Sequence, residues 1–292
     1  MWGKPQRLVS TWQQPEPSNW QEIVDVAMAE DVGYGDITGG CLPPDLLVNW
    51  RIEAQADGIL CGAGIIEYLH APEMGEPDDC YLEMVLGDGA KVSRGTTVAE
   101  GRSPAQKALM CERVALNFIM HLSGVATLTS KFVEKVQGTE AKIVDTRKTI
   151  PGIRILQKYA VRCGGGHNHR MGLYDGAMVK DNHIIAMGSV QGAVDAIRRY
   201  ASHMTKIEVE ATTLEMVGEA VEAGADIVLL DNMDPFMMRE AVQKYKGRCL
   251  FEASGGINLD TVKGVAQTGV DIVSVGALTH SAVSVPFHME FE

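Results

Sequence analysis

The chain has 292 residues, enough for one large domain or two ordinary ones, and 46% of them are apolar, as in globular proteins. A net charge of −12 argues against general nucleic-acid binding, because no overall positive field would attract a phosphate backbone. No apolar run suits a membrane span or a signal peptide, and the six cysteines form no CxxC pair, so we predict a cytoplasmic protein with reduced thiols and no membrane partner.

The first third of the chain predicts a small mixed α/β domain. After a polar arm, EIVDVAMAEDVGYG (22–35) has a helical pattern, and strand patterns follow around WRIEAQADGIL (50–60) and YLEMVLGDGAKV (81–92). A long helical pattern from residue 104 to residue 136 joins this part to the rest of the chain. We therefore expect a domain boundary near residue 120.

The second half alternates strand-like and helical patterns. Its apolar runs of strand length are KIVDTRK (142–148), GAMVKDNH (176–183), KIEVEA (206–211), ADIVLLDN (225–232), LFEASGG (250–256) and VDIVSVGA (270–277). The helical patterns between them carry cap signals, namely a capping box from Thr212 to Glu215, Asp234 before Pro235, and Asn258. Near-continuous apolar strands that alternate with helices indicate a parallel sheet. Six such strands favour an α/β barrel over a doubly wound sheet, since no early GxGxxG loop is present.

Positive charge is concentrated in one part of this acidic chain. The window from 145 to 184 contains seven Arg or Lys residues and three Asp, a local charge of +4. In RCGGGHNHR (162–170) cations alternate with glycines, which would let the backbone bend close to a small anionic ligand. A solvated basic face is the alternative. His167 and His169 could bind a metal, but the adjacent Arg170 would repel a cation and no third ligand follows.

In an α/β barrel the active site lies at the carboxyl ends of the strands. Here those ends carry cations, then carboxylates, and then glycine turns that would suit a phosphate if they lead into helices. Glu210 and Asp231 on adjacent strands could hold Mg²⁺, or a neighbouring lysine could neutralise them. Glu208 points the same way as Glu210, so the pattern does not distinguish the two. Arg113, Asn117 and His121 form a polar stripe on one helix, from which Arg113 could project across a subunit interface.

These motifs closely resemble the quinolinate phosphoribosyltransferase family. The resemblance rests on AEDVGYGDIT, CERVALNFIMHLSGVAT, DTRKTIPG, KYAVRCGGGHNHRMGLYDGAMVKDNHI, IEVEA, ADIVLLDN, EASGGINLD and VSVGALTHSA, and it runs from about residue 22 to residue 281. It implies an N-terminal α/β sandwich domain (1–120) and an open, seven-stranded TIM-like α/β barrel (121–281). The tail, residues 282–292, would pack with the N-terminal domain.

The resemblance also implies a reaction. Quinolinate and 5-phosphoribosyl-1-pyrophosphate (PRPP) would give nicotinate mononucleotide, pyrophosphate and CO₂, with Mg²⁺, in NAD synthesis. Such an enzyme is a pentosyltransferase, and it would work as a homodimer or a larger assembly of dimers.

Site residues follow from the same resemblance. Those expected to bind quinolinate are Thr146, Arg147, His169, Arg170, Lys180 and Arg113, the last supplied by the neighbouring subunit. The catalytic residues would be Lys148, Glu210 and Asp231, which also contact PRPP, and the two carboxylates would hold Mg²⁺ directly or through water. Those expected to bind the 5-phosphate are Ser254, Gly255, Gly256, Ser274, Val275, Gly276 and Ala277.

Other functions remain open at this point. A related phosphoribosyltransferase-like protein of molybdenum uptake would share the fold but take another substrate. A phosphosugar isomerase would not need a site for two carboxylates. A non-catalytic anion-binding barrel would not need Lys148, Glu210 and Asp231 together.

Overall fold

The computed structural model describes residues 17–292, so most of the polar arm lies outside the described residues. The helices are α1 (Pro17–Val32), α2 (Ala63–His70), α3 (Ala105–Lys135), α4 (Arg154–Cys163), α5 (Asp181–Met187), α6 (Val190–Tyr200), α7 (Leu214–Glu222), α8 (Pro235–Tyr245), α9 (Val262–Ala266) and α10 (Ala277–His280). The strands are β1 (Leu47–Ala54), β2 (Gly58–Ile59), β3 (Tyr81–Met84), β4 (Lys91–Val92), β5 (Thr97–Pro104), β6 (Lys142–Val144), β7 (Ala177–Val179), β8 (Ile207–Ala211), β9 (Ile227–Asp231), β10 (Leu250–Ser254), β11 (Ile272–Ser274) and β12 (Phe287–Phe291).

Four antiparallel strands form the first sheet, in the order β12-β1-β5-β3. Trp50 of β1 anchors it: the side chain is 2% exposed, and its indole N–H donates a 3.0 Å hydrogen bond to Ser103 Oγ. Gly101 leaves room for this indole, because a Cβ atom there would lie 2.6 Å from the ring. The C-terminal strand β12 pairs with β1 from Trp50 opposite Phe291 to Ala54 opposite Phe287. The end of the chain thus completes the N-terminal sheet.

Helix α3 is the 31-residue helix that the sequence pattern predicts, and it joins two hydrophobic cores. Leu116 and Ile119 belong to the core under the antiparallel sheet, whereas Leu122 and Val125 belong to the core of the second half. A helix that is apolar on more than one side is buried from more than one side. The two halves are therefore packed around one continuous helix.

Six parallel strands form the second sheet, in the order β6-β11-β10-β9-β8-β7. They coincide with the six apolar runs of the sequence. A seventh extended segment lies at the free edge of β6, where the His167 N–H donates to Ile143 O at 2.8 Å and the Asp145 N–H donates to His167 O at 3.3 Å. Because all strands are parallel, their carboxyl ends meet at one edge of the sheet.

The helix caps agree with the sequence in part. Asp234 Oδ1 accepts the N–H groups of Phe236 and Met237 at 2.8 and 2.9 Å, which confirms the predicted cap of α8. The cap of α7 is Thr213, not Thr212, because Thr213 Oγ1 accepts the Met216 N–H at 3.2 Å. Asn258 instead closes a turn, accepting the N–H groups of Asp260 and Thr261, before α9 begins. Within residues 17–292, no helix has the length and apolarity needed to cross a bilayer.

Candidate active site

A cavity of about 540 Å³ opens at the carboxyl ends of the parallel strands. Its predicted residues are Thr146, Arg147, Lys148, His169, Arg170, Lys180, Glu210, Asp231, Ser254, Gly255, Gly256 and Ser274, and it is also lined by Met178, Leu229, Asn232 and Glu252. Arg113, Val275, Gly276 and Ala277 are not among the lining residues. One chain therefore brings most of the predicted site together.

Cations line one side of the cavity. Arg147 and Lys148 are exposed in the turn after β6, where Thr146 Oγ1 accepts the Lys148 N–H at 3.0 Å and Thr279 Oγ1 donates to Lys148 O at 2.7 Å. Arg170 is half-buried, and its Nη1 donates to Gly176 O at 3.0 Å. Burial and the nearby Arg147 both lower the pKa of Arg170. Two guanidinium groups that destabilise each other's charge make a strong site for an anion.

Carboxylates line the other side, and a lysine joins the two sides. Lys180 Nζ forms an ion pair with Glu210 Oε2, so the neutralising lysine that the sequence left open as an alternative is present for Glu210. Asp231 accepts a 2.9 Å hydrogen bond from Asn232 Nδ2 instead. Lys180 is 45% exposed on its side chain and Glu210 is 19% exposed, so both remain within reach of a ligand.

The structure separates Glu208 from Glu210 by depth. Glu210 lies near the end of β8 and contacts the cavity, whereas Glu208 is two residues earlier and only 4% exposed. Glu208 Oε2 lies 3.1 Å from His169 Nε2, and Glu252 Oε1 of β10 lies 3.5 Å from the same nitrogen. These three side chains form a largely buried layer at the floor of the cavity, which His169 and Glu252 line.

Electrostatics in this layer are unusual. Burial, followed by repulsion from Glu208, raises the pKa of Glu252 to about 7. Burial favours the neutral imidazole of His169, but the hydrogen bond to Glu208 and the charge of Glu252 outweigh it and raise the pKa of His169. Glu252 thus exchanges its proton near neutral pH, beside an imidazole whose charged form is favoured.

Glycine turns follow β10 and β11. Gly255 and Gly256 have φ of 96° and 60°, a left-handed backbone that favours glycine. The expectation that these glycines open a helix is wrong, because five residues lie between Gly256 and Val262, the first residue of α9. After β11, the Val275 N–H already donates to Val144 O at 3.0 Å and is not available to a phosphate.

The three glycines of RCGGGHNHR do not line the cavity, so the structure does not bear out the expectation that they bring the backbone close to a ligand there. A Cβ atom on Gly164 would lie 2.3 Å from Ala126 O, and one on Gly166 would lie 2.8 Å from Thr129 Cγ2. Both partners belong to α3. Glycine is needed there because the loop packs directly on that helix.

Arg113 lies on the exposed side of α3. Its side chain is 60% exposed, and Glu112 Oε1 lies 3.7 Å from its Nη2. Asn117 is exposed as well, but His121 turns inward, where its Nε2 lies 2.9 Å from Gln157 Nε2. Arg113 and Asn117 of this stripe thus face outward, whereas His121 makes a contact inside the protein.

Asn232 and Glu252 lie in the predicted strand ends ADIVLLDN and LFEASGG but were assigned no role in the site, and Met178 was not predicted to belong to it. Asn232 is the only non-glycine residue in the described part of the chain with a positive φ, 54°. Asn tolerates this conformation better than most residues. The Asn that directly follows Asp231 was therefore the feature of the sequence from which Asn232 could have been assigned to the site. Glu252 was visible as a charge inside an apolar strand, but nothing in the pattern gave its depth.

Comparisons with known proteins also divide the chain into an N-terminal and a C-terminal part. Residues 36–123 match the model of the quinolinate phosphoribosyl transferase N-terminal domain, and residues 125–290 match that of the C-terminal domain. The chain is 43% identical over 272 residues to a probable carboxylating nicotinate-nucleotide pyrophosphorylase of Bacillus subtilis, with 92% of each chain covered. It is 41% identical over 266 residues to the carboxylating nicotinate-nucleotide pyrophosphorylase of Mycobacterium leprae, covering 89% of this chain and 93% of that one.

A solved structure extends the likeness to the fold. The nicotinate-nucleotide pyrophosphorylase of Francisella tularensis superposes with a TM-score of 0.88 at 35% identity, over 96% of this chain and 98% of that one. The predicted fold class, an N-terminal α/β sandwich domain followed by an open α/β barrel, is thereby confirmed.

Proposed function

The chain belongs to the quinolinate phosphoribosyltransferase family, and from this premise we propose how its residues divide the work of the reaction. The enzyme is a pentosyltransferase of NAD synthesis. It transfers the phosphoribosyl group of PRPP to quinolinate and releases pyrophosphate and CO₂, which leaves nicotinate mononucleotide. The assignment of residues rests on one cavity, in which four cationic side chains face the carboxylates of Glu210 and Asp231 and a glycine turn. The four cations are Arg147, Lys148, Arg170 and Lys180.

Quinolinate is bound through its two carboxylates by Arg147, His169, Arg170 and Lys180, which all line the cavity, and Thr146 supports the turn from which Arg147 reaches. Guanidinium groups recognise planar carboxylates through paired hydrogen bonds, and these two already lie close enough to influence each other's charge. When a substrate carboxylate arrives, Lys180 has two acceptors within reach, the substrate and Glu210. It therefore links quinolinate binding to the carboxylate side of the cavity.

Glu210 and Asp231 stabilise the charge that develops on the ribose. Pyrophosphate leaves carbon C1 with the bonding electron pair, which gives C1 the character of an oxocarbenium ion, and carboxylates at that position lower its energy. Lys148 neutralises part of the charge on the departing group. Ser254, Gly255, Gly256 and Ser274, which line the cavity, bind the 5-phosphate, and the turn from Val275 to Ala277 contributes groups other than the Val275 N–H.

Bond formation and decarboxylation then balance. The quinolinate nitrogen donates its lone pair to C1 and becomes a cationic ring nitrogen. The adjacent carboxylate leaves as CO₂, its bonding electrons remain on the ring carbon next to the cationic nitrogen, and a proton from water completes the product. The protein positions the reactants and supplies no nucleophile.

Glu210 and Asp231 also fit Mg²⁺. Both are partly accessible carboxylates on adjacent strands that line the same cavity, and Mg²⁺ commonly takes one or two carboxylates together with water and substrate phosphates. Bound Mg²⁺ would neutralise pyrophosphate as it departs. Lys180 must then share Glu210 with the metal.

The active enzyme is a homodimer, or an assembly of dimers, in which Arg113 enters the neighbouring site. Arg113 is exposed and does not line the cavity of its own chain, which is the placement such a role requires. Apolar side chains are exposed beside the cavity mouth, in the loop after Arg170 and on α5: Leu173 is 76%, Tyr174 is 84% and Ile185 is 77% exposed. A second subunit would cover them. We also assign the enzyme to the cytoplasm, since its six cysteines are free thiols, as a reducing compartment keeps them.

A product assay tests the function. Purified protein is incubated with quinolinate, PRPP and Mg²⁺, and nicotinate mononucleotide is followed by chromatography. Nicotinate replaces quinolinate as the control, because it lacks the second carboxylate that the cations recognise. Formation of nicotinate mononucleotide from quinolinate, but not from nicotinate, supports the proposal. No product, or equal rates with both acids, contradicts it and would favour the molybdenum-related or non-catalytic alternatives.

A further inference from the structure

We propose that Glu252 donates the proton that replaces CO₂ on the pyridine ring, and that a second cavity beneath it renews this proton from water. The inference rests on the proposed function, because the ring needs this proton only if the reaction decarboxylates it. Glu252 would then act as a catalytic residue in the cavity that binds quinolinate.

The second cavity, of about 590 Å³, lies at the amino ends of the parallel strands. Ala177, Ile227 and Ile272, each the first residue of its strand, line it, and so does Lys206 just before β8. The first cavity opens at the carboxyl ends of the same strands. One cavity therefore lies at each end of the parallel sheet.

Glu252 faces both cavities. It lies in the middle of β10, and together with His169 and Arg170 it forms the wall that the two cavities share. Its side chain is 2% exposed, and its Oε1 atom accepts no hydrogen bond from the described residues. The Oε1 atom of Glu208, which lines only the second cavity, accepts none from them either. Buried oxygens of this kind bind water where a cavity is large enough, so water in the second cavity reaches Glu252.

The direction of the departing carboxylate limits where a proton donor can lie. When CO₂ leaves, the electron pair of the broken C–C bond stays in the plane of the ring and points to where the carboxylate was. The donor must therefore lie among the groups that bind the carboxylates. Glu252 meets this condition, because its Oε1 atom lies 3.5 Å from Nε2 of His169, one of the quinolinate-binding residues.

Glu252 can both hold and release a proton near neutral pH. Burial, followed by repulsion from Glu208, raises its pKa to about 7, and the nearby His169 limits the rise. After the transfer, the imidazolium of His169 stabilises the new carboxylate. His169 is less suited as the donor, because loss of its own proton would leave the buried Glu208 without a counter-charge. The other charged groups that line the second cavity are Lys158, Arg162, Arg170, Asp175 and Lys206.

The transfer is balanced in atoms and electrons. The electron pair on the ring carbon takes the carboxyl proton of Glu252 and forms the new C–H bond, while the O–H electrons stay on Glu252 as a carboxylate. Water in the second cavity then passes a proton from the solvent to this carboxylate. A carboxyl group with a pKa of about 7 is a far stronger acid than water, at about 15.7, so the ring carbon is protonated before CO₂ recombines with it.

Glu252→Gln tests the donor, because glutamine keeps the shape of the side chain but carries no acidic proton. Loss of a general acid should lower kcat for nicotinate mononucleotide about 100-fold, whereas KM for quinolinate should stay within about twofold. The nucleotide that still carries both carboxylates should build up in a rapid-quench time course, since CO₂ recombines with the unprotonated ring. The solvent deuterium isotope effect on kcat should also exceed that of wild type, because proton transfer becomes the slow step.

A Glu252→Gln enzyme with the wild-type isotope effect and no build-up of the doubly carboxylated nucleotide would overturn the inference, whatever its kcat. A structural defect alone slows the enzyme without making proton transfer the slow step. An inactive wild type would instead defeat the proposed function, so the two failures are distinguishable.

Ile227→Phe tests the second cavity and leaves Glu252 unchanged, so the inference can fail on this variant even if Glu252→Gln does not fold. The larger ring occupies the space of the water, and kcat should fall about tenfold, the effect of one lost hydrogen bond to a carboxyl group, with a larger solvent isotope effect. Val85→Phe is the control and should keep wild-type kinetics, because Val85 is 46% exposed and lines neither cavity. Thermal unfolding shows which variants fold, and wild-type kinetics of a folded Ile227→Phe enzyme would overturn the role of the second cavity.

Discussion

Asn232 and Gly255 lie against each other so closely that a Cβ atom on Gly255 would come within 2.2 Å of the Asn232 Oδ1 atom. Both residues have left-handed backbones, with φ of 54° and 96°. The same Asn232 donates from Nδ2 to Asp231 Oδ2 at 2.9 Å. The turn after β10 therefore holds the side-chain amide of Asn232 in place. This amide in turn orients the Asp231 carboxylate at the end of β9.

Gly255→Ala should disrupt this arrangement. The new methyl group must displace Asn232, and alanine at this φ adds strain of about 1–3 kcal/mol. We expect kcat/KM for PRPP to fall about tenfold or more as Asp231 loses its orientation. Gly247→Ala, outside the cavity, is the matched control, because its φ of 82° is also positive but no atom lies within 4 Å of the added Cβ. Similar losses in both variants would mean that backbone strain alone is responsible, and the link to Asn232 would be wrong.

Lys180→Met tests the residue that joins the two sides of the cavity. The change removes a cation from the quinolinate side and leaves Glu210 without its ion-pair partner. A charged hydrogen bond contributes about 1.5–3 kcal/mol, so kcat/KM for quinolinate should fall about 10- to 100-fold.

The control for this prediction is Lys206→Met. Lys206 pairs with Asp226 at 2.8 Å, but its side chain is 72% exposed at the surface. Such pairs contribute little, so this variant should keep wild-type kinetics. Steady-state rates over a range of quinolinate concentrations provide the measurement, and an unchanged Lys180→Met enzyme would contradict the role of Lys180.

The strand-end residues could be predicted because geometry leaves little choice. Parallel strands end at one edge, so Lys180, Glu210 and Asp231 had to meet once six parallel strands were identified. How deeply Glu208 and Glu210 are buried was not predictable in the same way. Alternation places Glu208 and Glu210 on one face, and only the sheet register, which pairs Glu208 with Ile227 and Glu210 with Leu229, shows which one reaches the mouth.

Long-range packing explains the main error. The sequence shows three consecutive glycines but not their neighbours, and the neighbours are Ala126 and Thr129 on α3, more than thirty residues away. A glycine required by a ligand and a glycine required by a packed helix look identical in sequence. The same limit hid the contacts of His169, whose partners Glu208 and Glu252 lie on β8 and β10.

Gly164→Ala follows from this packing. Its Cβ atom would lie 2.3 Å from Ala126 O, so α3 or the loop must move. Overpacking of this kind costs about 1–3 kcal/mol, and we expect the free energy of unfolding in urea to fall by that amount. Gly264→Ala is the control: it lies in α9 with no atom within 4 Å of the added Cβ, so it should be neutral or slightly stabilising. Equal stability of the two variants would contradict the packing argument.

The buried layer predicts a pH dependence of stability. The pKa of Glu252 rises from an ordinary value of 4.5 to about 7 in the folded protein. Between these values the folded state binds more protons than the unfolded state, so this group makes stability fall as pH rises, by up to about 3 kcal/mol. Glu252→Gln cannot titrate and should flatten the stability curve between about pH 4.5 and 7.

Urea unfolding at several pH values measures this effect. The same substitution at the exposed Glu219 should leave the pH dependence unchanged. A Glu252→Gln curve parallel to that of wild type would show that Glu252 does not titrate in this range. The sign is informative in itself, because an ordinary ion-paired carboxylate would give stability that increases with pH.

Complementation between inactive variants tests whether sites are shared. Arg113→Ala and Lys148→Ala should each be nearly inactive, but a mixed dimer would contain one site with Lys148 from one subunit and Arg113 from the other. Random exchange makes half of the dimers mixed, and each mixed dimer has one intact site of two, so activity should recover to about one quarter of wild type. Subunits with different affinity tags are refolded together, and the unseparated mixture is assayed for this quarter; mixed dimers isolated through both tags should show about half of wild-type activity. If Arg113 acts within its own chain, or only stabilises α3, no intact site arises and the mixed dimers stay as inactive as their parents.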